Sequence, residues 1–159
     1  MGCGKTTLGK ALAQKLNYKF IDLDAWFEEQ NKTTIAEYFE VHGETKFREK
    51  EHEFIIESQK LTNTIISTGG GAACFYNNIK VMNQSGTTIY VKLSPQSLMN
   101  RLQNETTTRP LIANKTNNEL LAFIEQKLSE REPFYTQAQV VLDKEDSTVD
   151  EYVEEVLGI

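Results

Sequence analysis

The first residues, Met1-Gly2-Cys3-Gly4-Lys5-Thr6-Thr7, form a glycine-rich segment that runs directly into a helix predicted over residues 5–16. Leucine and alanine at helical spacing give that helix one apolar stripe. Backbone N–H groups at such a helix N-terminus bind phosphate, a lysine reaches the outer phosphates, and a threonine hydroxyl ligates Mg²⁺. The segment therefore predicts a nucleotide-binding P-loop, although Gly-Lys-Thr on its own also occurs in simple turns.

The rest of the chain alternates between strand and helix patterns. Predicted strands cover residues 18–22, 64–67, 87–93 and 139–142. Predicted helices cover residues 34–43, 44–60, 77–84, 94–102, 119–131 and 148–157. This alternation predicts one α/β domain over residues 1–159, with a parallel sheet covered by helices on both faces.

Composition narrows the class of protein. The net charge of −6 argues against general nucleic-acid binding, which needs clustered Lys and Arg. Cys3 and Cys74 have no metal-ligand spacing and are expected to be reduced thiols. No apolar stretch approaches the roughly 20 residues of a membrane span, and no signal peptide is recognisable. These features predict a cytoplasmic protein.

Two aspartates, Asp22 and Asp24, follow the first predicted strand. Their period-two spacing directs both carboxylates to one side at the carboxyl end of a parallel strand, where α/β sheets bind ligands. One carboxylate can join a Mg²⁺ shell, and the other can accept a proton from a substrate hydroxyl. The alternative is that they cap the following helix, a role for which Asp24 is well placed.

Three consecutive glycines, Gly69, Gly70 and Gly71, follow the second predicted strand and are called the glycine loop below. A glycine costs about 1 kcal/mol inside a regular helix, so three in a row have no cause there. They indicate a place where backbone approaches something closely, most simply a bound ligand. A flexible turn is the alternative.

Four arginines offer the planar forks that bind carboxylate and phosphate bidentately. They are Arg48 on helix 44–60, Arg101 just before a polar stretch at 103–117, Arg109 within that stretch, and Arg131 in a turn ahead of Pro133. A stretch of that length is typical of a lid or a disordered loop. Each arginine could instead be a surface charge or a helix ion pair, and Glu51 is expected to orient Arg48 rather than touch a substrate.

In this order, the motifs GxGKTT, FxDxD, FRxxE, TGGGA, RPL and ERxPxY resemble those of the shikimate kinase family, from Met1 to the terminal helix. The resemblance implies a nucleoside-monophosphate-kinase-like fold of three layers, α/β/α, around a five-stranded parallel sheet. It implies transfer of the γ-phosphate of ATP, with Mg²⁺, to the 3-hydroxyl of shikimate, a step of aromatic amino acid biosynthesis. ATP and shikimate are then the partners, and a monomer without nucleic-acid or membrane contacts is expected.

The resemblance also implies roles for particular residues, which fall into a nucleotide side, a metal site and a shikimate side. On the nucleotide side are Gly2, Cys3, Gly4, Lys5, Thr6 and Thr7, with Arg101 near the adenine and Arg109 reaching the transferring phosphate from a lid at 103–117. Thr6 and Asp22 would hold Mg²⁺. On the shikimate side, within a segment at 24–60 and beyond it, are Asp24 as catalytic base, Arg48 and Arg131 on the carboxylate, and Gly70 and Gly71 lining the pocket.

The first residues depart from the family pattern. The family loop usually reads G-x-M-G-x-G-K after a strand, and Met1 falls on the internal methionine of that pattern. We therefore expect a start site assigned too late or a truncated sequence, with roughly ten residues and the central strand of the sheet missing.

Two alternatives remain open at this level. A related small-molecule kinase such as gluconate kinase would share the P-loop, but Arg48, Arg131 and the glycine loop favour a cyclic hydroxy-carboxylate over a linear sugar acid. A non-catalytic nucleotide-binding module would be expected to have lost Lys5, Asp24 or Arg109, and all three are present.

Overall fold

A computed structural model describes residues 2–104 and 115–159. Strands and helices follow one another in nearly the predicted order. The strands are β1 (Lys19–Asp22), β2 (Thr64–Ser67), β3 (Ile89–Val91) and β4 (Val140–Leu142). The helices are α1 (Lys5–Leu16), α2 (Leu23–Asn31), α3 (Ile35–Ser58), α4 (Asn78–Ser85), α5 (Pro95–Asn104), α6 (Asn117–Tyr135) and α7 (Val149–Leu157), with one 3₁₀ turn at Ala72–Cys74.

All the strand pairing is parallel in the part of the chain that the structure describes. β1 pairs with β2, Lys19 opposite Thr64 and Asp22 opposite Ser67, so both strands end at the same edge. β3 pairs with β4 in the same way. The predicted α/β class with parallel strands is therefore confirmed, and residues that follow β1 and β2 meet at one edge of the sheet.

Helices cover both faces of the first strand pair. Ile65 of β2 packs into a cluster with Leu8 and Leu12 of α1, whereas its neighbour Ile66 packs with Phe54 of α3 on the other face. Successive strand residues point to opposite faces, so a two-sided core requires this alternation. Gly9 lets α1 approach the sheet, because a Cβ there would lie 2.7 Å from the ring of Phe20.

The helices predicted over residues 34–43 and 44–60 lie end to end within α3 and meet at a kink. Thr34 caps α3 through a capping box with Glu37, as predicted. Gly43 has φ 79 and ψ 165, a non-helical conformation, yet the chain resumes its helix at once. Gly43 therefore separates two helical segments within α3, as predicted, and redirects the chain between them.

The turn predicted around Arg131 is not present, because Arg131 lies within a helix. Helix α6 continues through Arg131 and past Pro133 to Tyr135. Pro133 lies inside the helix, where it cannot donate a hydrogen bond to the carbonyl of residue 129 and its ring crowds that carbonyl, yet the helix continues to Tyr135. Arg131 and Tyr135 are therefore four residues apart on one helix face.

No helix in residues 2–104 or 115–159 is long and apolar enough to span a membrane.

An apolar cavity of about 320 Å³ lies between the two strand pairs and is lined by both β2 and β3. Within the described residues β2 pairs only with β1 and β3 only with β4. The facing edges of β2 and β3 thus border an apolar slot.

Candidate active site

The P-loop residues have the backbone geometry of an anion site. Gly2 and Gly4 have positive φ angles of 64 and 84, which glycine adopts readily. Gly4 is the N-cap of α1 and offers no side-chain hydrogen bond to the first turn. The N–H groups of that turn therefore point out of the helix toward a ligand, and the helix dipole adds positive potential there.

Two basic side chains lie at this loop. Lys5 Nζ is 3.9 Å from Cys3 Sγ, folded back over the loop. Arg101 donates from Nη1 to the carbonyl oxygen of Cys3 at 3.4 Å. Arg101 thus approaches the P-loop from α5, across 98 residues of sequence.

Thr6 and Asp22 form a pair of oxygen ligands beside the P-loop. The Thr6 hydroxyl donates to Asp22 Oδ2 at 3.0 Å. The other carboxylate oxygen, Oδ1, accepts from the backbone N–H groups of Asp24 and Ala25 at 3.1 and 3.3 Å. A hydroxyl and a carboxylate side by side fit Mg²⁺, which prefers oxygen and takes few ligands from a protein when phosphates supply others.

The N-cap of α2 also differs from the one considered in the sequence. The capping role considered for Asp24 belongs to Asp22, which is the N-cap of α2. Asp24 lies inside the first turn and its carboxylate faces Gly69, where a Cβ would come 3.0 Å from Asp24 Oδ1. The cap therefore leaves the Asp24 carboxylate free to face the site.

The environment of Asp24 favours its protonated form more than water does. Burial raises the pKa of Asp24 above its ordinary value, the charge of Asp22 raises it further, and Lys5 opposes both. The side chain still reaches solvent through a polar cavity of about 620 Å³, and a carboxylate of raised pKa is a better proton acceptor than a free one. The described residues lining this cavity are Gly2, Cys3, Gly4, Lys5, Thr6, Thr7, Asp22, Asp24, Ser67, Thr68, Gly69, Gly70 and Arg131.

Each glycine of the glycine loop faces a different functional side chain. Gly69 faces Asp24, as described above. A Cβ on Gly70 would lie 2.8 Å from Arg131 Nη1, and a Cβ on Gly71 would overlap the guanidinium of Arg48. The close approach predicted for these glycines is therefore an approach to the protein's own charged groups, which brings them around one space.

Arg48 is held in place on several sides. It forms ion pairs with Glu44 at 3.1 Å and Glu51 at 2.8 Å, and its guanidinium lies 4.3 Å from the centre of the Phe75 ring. These pairs use three of the five N–H donors of an arginine, so donors remain for a ligand.

Glu51, for which the sequence predicts a role in orienting Arg48, lies against the guanidinium of Arg48. Its side chain is 2 % exposed, and Oε2 has no hydrogen-bond partner among the described residues. Burial raises the pKa of Glu51, and the charge of Arg48 lowers it in part. A buried carboxylate beneath a guanidinium fixes the direction of that guanidinium at a cost in desolvation.

Tyr135 is a site residue to which the sequence reading gave no role. Its hydroxyl donates to the carbonyl oxygen of Gly70. Burial raises the pKa of the Tyr135 hydroxyl, against the charge of Arg131. The signal was present as four-residue spacing from Arg131, but it has meaning only if the helix continues past Pro133.

The structure thus brings together all but one of the side chains predicted to bind ligands. Arg109, and most of the predicted lid at 103–117, lie outside the described residues. Arg101 lies at the P-loop, and the remaining predicted residues surround the polar cavity or contact the glycine loop.

Comparisons with known proteins identify the family and the fold. The family model described as "Shikimate kinase" matches residues 1–158. A shikimate kinase of Bacteroides thetaiotaomicron is 47% identical over 146 residues, 92% of this chain and 83% of that protein. A shikimate kinase of Azobacteroides pseudotrichonymphae is 43% identical over 158 residues, 99% of this chain and 93% of that protein.

Solved structures are similar over the same length. The crystal structure of shikimate kinase from Bacteroides thetaiotaomicron has a TM-score of 0.93 at 43% identity, covering 100% of this chain and 94% of that one. The structure of shikimate kinase from Acinetobacter baumannii in complex with shikimate has a TM-score of 0.86 at 28% identity, covering 99% and 86%. The chain belongs to the shikimate kinase family.

Proposed function

We propose that this chain transfers the γ-phosphoryl group of ATP to the 3-hydroxyl of shikimate, giving shikimate 3-phosphate for aromatic amino acid biosynthesis. The family to which it belongs uses ATP as phosphoryl donor. The observation that carries the proposal is the convergence of Asp24, Arg48 and Arg131 on the glycine loop, next to the P-loop. That arrangement supplies carboxylate-binding forks and a proton acceptor within reach of a bound triphosphate.

On the nucleotide side, the N–H groups of residues 2–7 bind the phosphates and Lys5 neutralises the outer ones. Thr6 and Asp22 hold Mg²⁺, which neutralises charge on the phosphates when bound. Arg101 contributes positive charge at the P-loop. We also propose that Arg109, in a lid at 103–117, reaches the transferring phosphate. Phosphoryl transfer needs positioning and charge neutralisation more than covalent help from the protein.

On the shikimate side, the substrate offers one carboxylate and three hydroxyls. Arg48 and Arg131 bind the carboxylate, because guanidinium forks match carboxylate geometry. Asp24 accepts the proton of the attacking hydroxyl, and Gly70 and Gly71 form the wall between the two arginines. The segment 24–60 carries Asp24 and Arg48 of this half of the site. We propose that the chain is a single domain, residues 1–159, which acts as a cytoplasmic monomer.

The test is phosphate transfer from ATP, measured with shikimate, with gluconate and with no acceptor. We expect a shikimate-dependent product whose phosphate is on the 3-hydroxyl by nuclear magnetic resonance. Equal transfer to gluconate, or ATP hydrolysis that shikimate does not stimulate, would contradict the proposal.

A pair of variants on α3 makes the test specific to the site. Arg48→Met is expected to raise the KM for shikimate at least about 30-fold, with the KM for ATP little changed. The reason is that the substrate carboxylate loses a partly buried guanidinium partner. Lys46→Met is the control, since Lys46 forms an exposed ion pair with Glu49 at 2.7 Å on the same helix. An unchanged KM for shikimate in Arg48→Met would remove Arg48 from the substrate site.

A further inference from the structure

The amide side chain of Asn78 connects the glycine loop to α3 through buried hydrogen bonds. Asn78 is 0 % exposed, although its side chain is polar. Its amide nitrogen donates to the carbonyl oxygen of Ala72 at 2.8 Å, and its Oδ1 lies 2.5 Å from Nδ1 of His52 on α3. Burying an amide is unfavourable unless it is hydrogen-bonded, so these two contacts account for a polar group at this position.

The carbonyl of Ala72 fixes the direction of both hydrogen bonds. A carbonyl oxygen only accepts, so the group of Asn78 that faces it must be the NH₂. The oxygen Oδ1 of Asn78 then faces His52 and also only accepts, which requires an N–H at Nδ1 of His52. The His52 ring is further held by stacking on Tyr76, with ring centroids 4.7 Å apart.

Ala72 is joined directly to the glycine loop. Its own N–H donates to the carbonyl of Gly69 at 3.1 Å, and the N–H of Cys74 donates to the carbonyl of Gly71 at 2.9 Å. Ala72 is fully buried and starts the 3₁₀ turn. The hydrogen bond from Asn78 to Ala72 therefore also fixes the position of the adjoining glycine loop.

We propose that Asn78 and His52 are positioning residues that hold the glycine loop against Asp24 and Arg48 and thereby set the affinity for shikimate. The loop has little freedom, since a single added Cβ at Gly71 would overlap the Arg48 guanidinium. A displacement of the loop therefore moves Arg48 and opens the contact between Gly70 and Arg131. The expected effect on the affinity for shikimate rests on the proposed function, but the placement of the loop can be measured without any substrate.

Four variants test the proposal by steady-state kinetics with both substrates. Asn78→Leu removes both hydrogen bonds, and His52→Phe keeps a ring to stack on Tyr76 but removes the donor. Both are expected to raise the KM for shikimate about tenfold, with the KM for ATP within about twofold, because displacement of binding groups weakens one substrate alone. His52→Asn is expected to restore the KM, since its amide N–H can replace the donor at Nδ1.

Asn83→Leu is the control for loss of a hydrogen bond from the same helix. Asn83 lies on α4 and donates to the carbonyl oxygen of Gln137 at 2.9 Å, away from the glycine loop. This variant is expected to lose stability while both KM values stay at the wild-type level. Equal increases in both KM values in His52→Phe, or a KM for shikimate unchanged in both His52→Phe and Asn78→Leu, would overturn the proposal.

Hydrogen exchange of the unliganded protein separates this inference from the proposed function. The amides of Ala72 and Cys74 are expected to exchange faster in His52→Phe than in wild type, and at the wild-type rate in His52→Asn. If the wild type transfers no phosphate to shikimate, the proposed function fails while faster exchange still supports the positioning role. Unchanged exchange in His52→Phe would overturn that role whatever the enzyme assay shows.

Discussion

Asp22 and Asp24 are two residues apart, but their different hydrogen bonds suit them to different roles. Asp22 is occupied by the Thr6 hydroxyl and by two N–H groups of α2. Its carboxylate therefore lies beside the Thr6 hydroxyl, and such a pair of oxygen ligands suits Mg²⁺. Asp24 faces Gly69 and the polar cavity, where burial and the charge of Asp22 raise its pKa. A carboxylate in that state suits a proton acceptor.

The first prediction follows from this division. Asp24→Asn is expected to reduce turnover about 10²- to 10⁴-fold, because an amide cannot accept the proton of the substrate hydroxyl. ATP binding should stay nearly intact, since the P-loop and Asp22 are unchanged. The measurements are turnover with shikimate and ATP affinity by calorimetry.

Glu28→Gln is the matched control for this change. It removes another carboxylate whose charge raises the pKa of Asp24, but its Oε1 binds the backbone N–H of Ile35 rather than a cavity group. Turnover within a few-fold of wild type is expected there. Retained turnover in Asp24→Asn would remove Asp24 from the role of base.

At the scale of elements, α3 is bent so that its two halves serve different purposes. The first half packs Tyr38 edge-on to Phe27 of α2, with ring centroids 4.9 Å apart. The second half carries Arg48 to the glycine loop and His52 to Asn78. The kink lies at Gly43, with φ 79 and ψ 165, a region of backbone space that is essentially limited to glycine.

The second prediction tests that kink. Gly43→Ala is expected to lower the free energy of unfolding by about 1–3 kcal/mol, because alanine is strained at this φ and ψ. Gly86→Ala is the control: a Cβ meets nothing within 4 Å at either position, but Gly86 has an extended backbone at φ −173. Chemical denaturation measures both, and equal losses would show that backbone strain is not what the Gly43→Ala change reports.

At the scale of the whole molecule, the two strand pairs leave the facing edges of β2 and β3 beside an apolar cavity of about 320 Å³. Ile65 and Ile66 from β2, and Ile89 and Val91 from β3, are among the residues around it. The P-loop lies at the same part of the fold, since Cys3 and Lys5 also line this cavity. A strand in this slot would pair with two exposed edges and bury apolar side chains.

The third prediction concerns that slot. Extending the chain upstream of Met1 by one apolar, strand-forming segment is expected to raise the free energy of unfolding by roughly 2 kcal/mol or more, through apolar burial and edge pairing. It should also lower the KM for ATP by fixing the P-loop. A glycine-serine extension of equal length is the control, and equal stability and turnover in the two versions would contradict the expectation.

Several elements could be predicted from the sequence because their causes are local. Helix α1 begins and ends at the predicted residues, and β2 covers the predicted 64–67. The capping box at Thr34 and Glu37 and the break at Gly43 were also predictable, since each depends on neighbouring residues. Helix α6 was not, because Pro133 is ordinarily a stop signal and its tolerance in a last turn depends on what the helix packs against.

The P-loop was the sequence feature with the strongest local cause, and together with the two aspartates, the triple glycine and the arginines it determined the class of protein and the parts of the site. The tertiary structure decided which part does what. Only packing shows that each glycine faces its own charged side chain, and that Glu51 and Asn78 lie buried behind Arg48 and the loop. The physical reason is that loop geometry and capping depend on neighbours in sequence, whereas burial and the direction of a side chain depend on residues that are distant in sequence and meet only in the fold.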